Sequence, residues 1–190
     1  MKQSILKVAR EIIRKNGVDD LNMREIAKRI GYSPGSIYSY FNNKQALIEA
    51  VATQGYEYLA SYFQSVDESL PPKIHLTELA LVYLKFALEN PDYYIVMFTT
   101  VPSPEAIAEI RAEGSVFDTL IHAIQRGIDK GVFKPKPDFE AHNMAYAAWA
   151  HVHGVAMLRI TFLEAPEAIE GLNNRETFET FFRGLGMEEP

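Results

Sequence analysis

Residues 21–51 read LNMREIAKRIGYSPGSIYSYFNNKQALIEAV, and this stretch carries the most specific signals in the chain. Met23, Ile26, Ala27 and Ile30 recur at spacings of three and four, the pattern of one helix face, and Gly31 stops it. Asn22 stands three residues before Glu25, a capping-box-like start for that helix. Ser33 followed by Pro34 is an N-cap with proline at the first helical position, so another short helix begins three residues later, with Ile37, Tyr38 and Phe41 on its apolar side. Two short helices joined by Gly31, Tyr32 and Ser33 form a unit whose second helix can lie in the major groove of DNA while the first braces it. Gly31 supplies the turn residue that tolerates positive φ, and Ser33, Pro34, Gly35 and Ser36 give the second helix a small end through which backbone can approach bases. The hydroxyls of Tyr38 and Tyr40 lie beyond that end, within reach of phosphates, and Lys44 opens the next helix where its ammonium can face a phosphate. The competing reading of Tyr38, Tyr40 and Phe41 is that they pack the small head, and Phe41 is assigned chiefly to that role.

Upstream, Ile5, Val8, Ala9, Ile12 and Ile13 predict a helix over 4–15, ended at Gly17. Downstream, 44–67 reads as one long helix with Ala46, Leu47, Val51, Tyr58, Leu59 and Tyr62 inward and Gly55 as its weak point. Proline-bearing breaks then separate helices over 74–89, 92–100, 105–130, 138–164 and 175–185, with Gly114 the candidate break in the third from last. No period-2 pattern and no internal repeat is visible, so the expected fold class is all-α, with a helix-turn-helix head over 1–50 and a helical body over 51–190.

The 190 residues carry a net charge of -6, which argues against a polyanionic partner until it is divided along the chain. Residues 1–50 hold nine basic and five acidic side chains, the remainder ten and twenty, so a basic head joins an acidic body. With no cysteine there is no disulfide and no thiolate metal site. No apolar run is long enough for a membrane helix and the charged start lacks a signal-peptide core, so a cytoplasmic protein without membrane contact is expected.

The run over 21–51 resembles the head of TetR-family repressors in three places: the I-A-x-x-x-G turn glycine at Gly31, the recognition helix S-P-G-S-I-Y-S-Y-F, and the N-K-x-x-L opening of the long helix. The resemblance implies a homodimer on a pseudo-palindromic operator, with Ser33, Pro34, Gly35 and Ser36 at base edges and adjacent backbone, and Tyr38, Tyr40 and Lys44 on phosphates. Met23 stands where many relatives carry a threonine that caps the helix and touches a phosphate, and Asn22 is the candidate replacement. The segment W-A-H-V-H-G at 149–154 is similar to the Trp-His-Gly signature of one C-terminal subfamily, with an inserted pair.

The body is rich in large aromatics. Most are expected in the core, while Tyr83, Phe86, Tyr94, Met97, Phe117, Trp149 and His153 are the candidates for lining a cavity for an apolar or aromatic small-molecule effector. In the helix over 138–164, Ala145, Ala148, Val152 and Val155 form a small-residue stripe that lets another helix approach closely. The resemblance would place that stripe, with Phe178, Phe181 and Phe182, at a four-helix dimer interface. His151 and His153, two apart on a helix, point to different faces and do not make a metal pair, and no cofactor is expected. Two alternatives stand beside a ligand-released repressor: an activator of the same fold, and a helical enzyme whose head mediates protein contacts, for which no catalytic constellation is visible.

Overall fold

Ile5, Ala9, Ile12 and Ile13, spaced at three and four, are all buried along one side of α1 (Lys2–Asn16), each isoleucine contributing about 1.5–3 kcal/mol of hydrophobic burial. The same logic builds the next elements of this computed structural model, which describes residues 1–110, 112–162 and 170–186. Helix α2 (Met23–Ile30) buries Met23, Ile26 and Ala27; the five-residue α3 (Pro34–Tyr38) buries Ile37; and α4 (Lys44–Gln64) follows, with Leu47, Ile48 and Val51 inward. Then come α5 (Pro72–Glu89), α6 (Pro91–Thr99), α7 (Pro104–Ile110), α8 (Val116–Asp129), α9 (Ala141–Thr161) and α10 (Asn174–Gly184). Among the described residues there are ten helices and no strand, only an isolated bridge between Lys136 and Phe139. The all-α expectation is met, and helix positions agree with the sequence pattern to within a few residues. Among the described residues no helix is long and apolar enough to cross a membrane.

The 105–130 prediction resolves into α7 and α8. Ser115 caps α8 by accepting from the Asp118 N–H at 3.1 Å, and the Asp118 carboxylate reaches back to the Gly114 N–H at 2.8 Å. That reciprocal capping starts a new helix rather than continuing the old one. The predicted end of the 138–164 helix at 163–164, the proline stop at 165–166 and the tail at 187–190 lie outside the described residues.

The chain forms two compact units. The first comprises Met1–Tyr58 together with Asn90–Ala108, so α6 packs with the head rather than with the rest of residues 51–190. Gly55 explains this pairing. A Cβ there would stand 2.6 Å from Met97 Sδ and 3.4 Å from Tyr93 Cβ, so the residue that weakens α4 as a helix lets α6 lie against it. In the second unit, Leu59–Glu89 with Glu109–Pro190, helices α5, α8 and α9 each pack on the other two. Phe178 and Phe182 of α10 close over α5 and α9.

Candidate nucleic-acid interface

The turn at Gly31 takes the left-handed conformation, φ 75° and ψ 30°, and the next N–H, of Tyr32, donates to Ala27 O at 2.9 Å. A residue with a Cβ is strained there, so glycine stops α2 and directs the chain into α3. Ser33 caps α3: its Oγ accepts from the Ser36 N–H at 3.3 Å and lies 3.0 Å from Ser36 Oγ. Ser39 Oγ donates to Ser36 O at 2.8 Å and ties off the other end. Ser33, Pro34 and Gly35 are exposed and Ser36 is half-buried, so the small end of α3 is presented outward.

Ile37 and Phe41 turn inward and anchor this segment, while Tyr38 and Tyr40 are 49% and 47% exposed. Core packing of all three aromatics is therefore restricted to Phe41. Tyr32, 53% exposed in the turn itself, adds a third outward phenol that the sequence reading leaves unassigned; its position between a stop glycine and an N-cap serine is the signal that could have found it.

The contact expected at Met23 requires correction. Met23 is 5% exposed, its thioether in the head's core, because it occupies the buried face of the helix it begins; it offers no side chain to a phosphate. The capping role falls to Asn22, whose Oδ1 accepts from the Arg24 N–H at 2.9 Å. Lys44 is not an unattached cation: its Nζ donates to Asp19 O at 2.6 Å, holding the loop between α1 and α2 to the start of α4. An ammonium has three donors, so this bond leaves others for a phosphate. Along α2, Arg29 Nε donates to Glu25 Oε1 at 2.9 Å, and that bond holds the Glu25 carboxyl below its usual range.

Behind the helix-turn-helix, Arg10 of α1 donates through Nε to Asp92 Oδ2 at 2.8 Å and lies 3.6 Å over the Tyr93 ring. Tyr93 in turn donates to Gln54 Oε1 at 2.7 Å, and Gln54 Nε2 donates to Gln3 Oε1 at 2.9 Å. Helices α1, α4 and α6 are thus joined by one polar chain. Burial raises the Tyr93 phenol above its ordinary range, which keeps it a donor. No local pattern announces this chain, since Arg10 and Asp92 are 82 residues apart.

The seven candidate effector residues divide between the two units, five in the second and two in the first. Tyr83, Trp149 and His153 meet: Trp149 Nε1 donates to Tyr83 Oη at 3.2 Å, and that hydroxyl lies 3.3 Å from His153 Nδ1. Phe117 joins them with its ring 5.8 Å from Trp149. Phe86 packs edge-on against Tyr62 at 5.5 Å. Tyr94 and Met97 belong to the first unit, where Tyr94 packs on Phe98 at 4.8 Å and Met97 on Gly55. The candidate dimer stripe is likewise corrected. Ala145, Ala148, Val152, Phe178 and Phe182 are buried by their own chain, because this is the face of α9 that meets α5, α8 and α10; Val155 and Phe181 are half-buried. Phe181 stacks parallel on His151 at 3.9 Å. The opposite side of α9 is left outward: Ala147, Ala150, Gly154 and Leu158, at spacings of three, four and four, with Tyr146 and Phe162 flanking.

Residues 5–51 match the family model described as bacterial regulatory proteins, tetR family, and residues 76–170 match the tetracyclin repressor-like C-terminal domain. The chain is 29% identical over 96 residues to the uncharacterized HTH-type transcriptional regulator YobS of Bacillus subtilis (strain 168), covering 49% of each protein. It is 38% identical over 66 residues to the HTH-type transcriptional regulator UidR of Escherichia coli (strain K12), covering 35% of this chain and 34% of that one. The matches thus span half or less of these relatives' length. Among solved structures, a protein of unknown function from Rhodococcus sp. RHA1 superposes with TM-score 0.78 at 25% identity, covering 97% of this chain and 95% of that one. The TetR family transcriptional regulator PfmR from Thermus thermophilus shares the fold, with TM-score 0.72 at 17% identity and 97% of each chain covered.

Proposed function

The chain belongs to the TetR family of bacterial regulatory proteins, and from that premise we propose that it is a transcriptional repressor that binds a pseudo-palindromic operator as a homodimer and is released by a small apolar or aromatic molecule. The observation that carries the DNA-binding part is the division of α3 and its flank into two sides. Ile37 and Phe41 are buried, while Ser33, Pro34, Gly35, Tyr38 and Tyr40 are exposed together. In this reading Ser33 to Ser36 meet base edges, Tyr38 and Tyr40 donate to phosphates, and Lys44 adds a charged contact while it holds Asp19. Half-sites then lie one or more helical turns apart, about 34–36 Å each.

The dimer seam is assigned to the outward face of α9, Ala147, Ala150, Gly154 and Leu158. A Cβ on Gly154 would meet nothing within 4 Å in the single chain, and small residues on a helix let a partner helix approach closely. The effector is assigned to the Tyr83, Phe117, Trp149 and His153 cluster, where aromatic rings meet three hydrogen-bonding groups, Tyr83 Oη, Trp149 Nε1 and His153 Nδ1. The test is selection of bound genomic fragments by the purified protein, followed by anisotropy titration of the selected site. A saturable, salt-dependent complex of one dimer per site, reversed by an aromatic compound encoded or processed by the neighbouring genes, supports the proposal. Binding equally strong to random DNA overturns the operator reading, and enhanced transcription from the site makes the protein an activator.

A further inference from the structure

A cleft of 360 Å³ in the second unit shares no residue with the aromatic cluster and is left unused by the functions assigned above. Its chemistry-bearing wall is Glu68, His75, Glu113, Asp118, His122 and Arg126, with Ala123 beside them. The guanidinium of Arg126 is engaged by protein: one nitrogen donates to Glu68 O and another to Leu70 O at 3.3 Å, so it braces the loop between α4 and α5. The wall thus holds three carboxylates and one guanidinium already directed at backbone carbonyls; of the carboxylates, Asp118 accepts from the Gly114 N–H at 2.8 Å and lies 3.5 Å from His122 Nδ1. His75 is a second, independent feature. It lines the cleft while only 4% exposed, and among the described residues its Nδ1 has no hydrogen-bond partner. Buried polar atoms in native folds are nearly always paired, so an imidazole left unsatisfied in a cleft wall points to a missing partner. Burial, and then the nearby Arg126 charge, hold this imidazole below its ordinary pKa against the opposing pull of Glu68 and Asp67. The neutral ring offers a lone pair as well as an N–H.

We propose that this cleft binds a small organic ammonium compound, whose N–H groups are shared by the Glu68, Glu113 and Asp118 carboxylates and the His75 ring and whose carbon skeleton lies against Ala123. The volume is at the small end of ligand pockets, which suits a few-carbon amine and not a large multi-ring molecule. Charge-assisted N–H bonds to carboxylates are the strong kind, and three acceptors of like charge around one space exclude an anion.

The site is tested on the full-length protein without DNA, so its outcome is independent of the operator reading. Calorimetric titration would use butylammonium and butane-1,4-diammonium, with butanol and butyrate as neutral and anionic controls, while ring signals of His75 are followed by NMR. The expected result is one ammonium compound bound per chain, weakened by salt, with the His75 signals displaced and neither control binding. The double variant Glu68→Gln, Glu113→Gln, at two exposed positions, keeps its melting temperature and binds the ammonium compounds at least about tenfold more weakly. Absence of ammonium binding, equal binding of butanol, or undiminished affinity in the double variant overturns the proposal.

Discussion

Gly35 separates the demands of the fold from those of DNA. A Cβ there would lie 3.8 Å from Ser33 Oγ, an ordinary contact, so Gly35→Ala fits the head and, by restricting the unfolded chain, raises stability by about 0.5–1 kcal/mol. On DNA the added methyl meets the surface that α3 approaches. The expected outcome is an unchanged or higher melting temperature with operator affinity reduced at least about tenfold by anisotropy. Tyr38→Phe and Lys44→Ala divide the proposed phosphate contacts by kind. Tyr38→Phe removes a neutral donor and weakens binding across sequences without altering the salt slope, whereas Lys44→Ala removes a cation and reduces that slope by about 0.9. Histidine titration acts on the body. Burial lowers the pKa of His151 and His153 from 6.5, so the unfolded chain takes up protons before the folded one does. Stability is therefore full above pH 6.5 and is lost as pH falls from there toward the lower folded values. His151→Phe preserves the stack on Phe181 and should flatten the melting temperature profile between about pH 7.5 and 5. The caps at Asn22 and Ser33 were legible in the sequence because they act within three residues; the tie from Lys44 to Asp19 was not, since nothing local marks a carbonyl 25 positions away.

At the level of elements, α6 owes its place in the first unit to Gly55 and to the ion pair of Arg10 with Asp92. Asp92 is nearly buried, and removing it leaves a partly buried guanidinium with only the Tyr93 ring for a partner. Asp92→Ala is expected to cost about 1–3 kcal/mol. Hydrogen exchange should show the loss as earlier opening of α6 and the facing turns of α1, while α9 stays protected. Equal protection throughout would mean that this ion pair does not hold α6 in place. The helices themselves followed from proline punctuation and periodicity. Their partners did not: chain order puts α6 with the body because it follows α5, and the close packing of Met97 and Tyr93 on Gly55, with the Arg10–Asp92 pair, assigns it elsewhere.

For the whole molecule the decisive element is α9, which carries apolar residues on two opposite sides. One side is covered by its own chain, and the other presents Ala147, Ala150, Gly154 and Leu158 outward, with Phe162 80% exposed nearby. Light scattering of Leu158→Arg is expected to give a monomer of the chain mass, 21.5 kDa, that has lost operator binding, while Tyr146→Ser alters neither by more than a few-fold. A Leu158→Arg protein that remains dimeric places the seam elsewhere. The amino-acid sequence by itself determined the all-α class, the positions of the helices, the turn at Gly31 and the small end from Ser33 to Ser36, because caps, glycine turns and proline starts are interactions among near neighbours in the chain. Tertiary structure alone decided which side of α9 is internal, since a helix with small apolar residues on opposite sides does not mark one of them as the core face, and which aromatics meet, since Tyr83 and Trp149 are brought together across 66 residues by packing that no local spacing encodes.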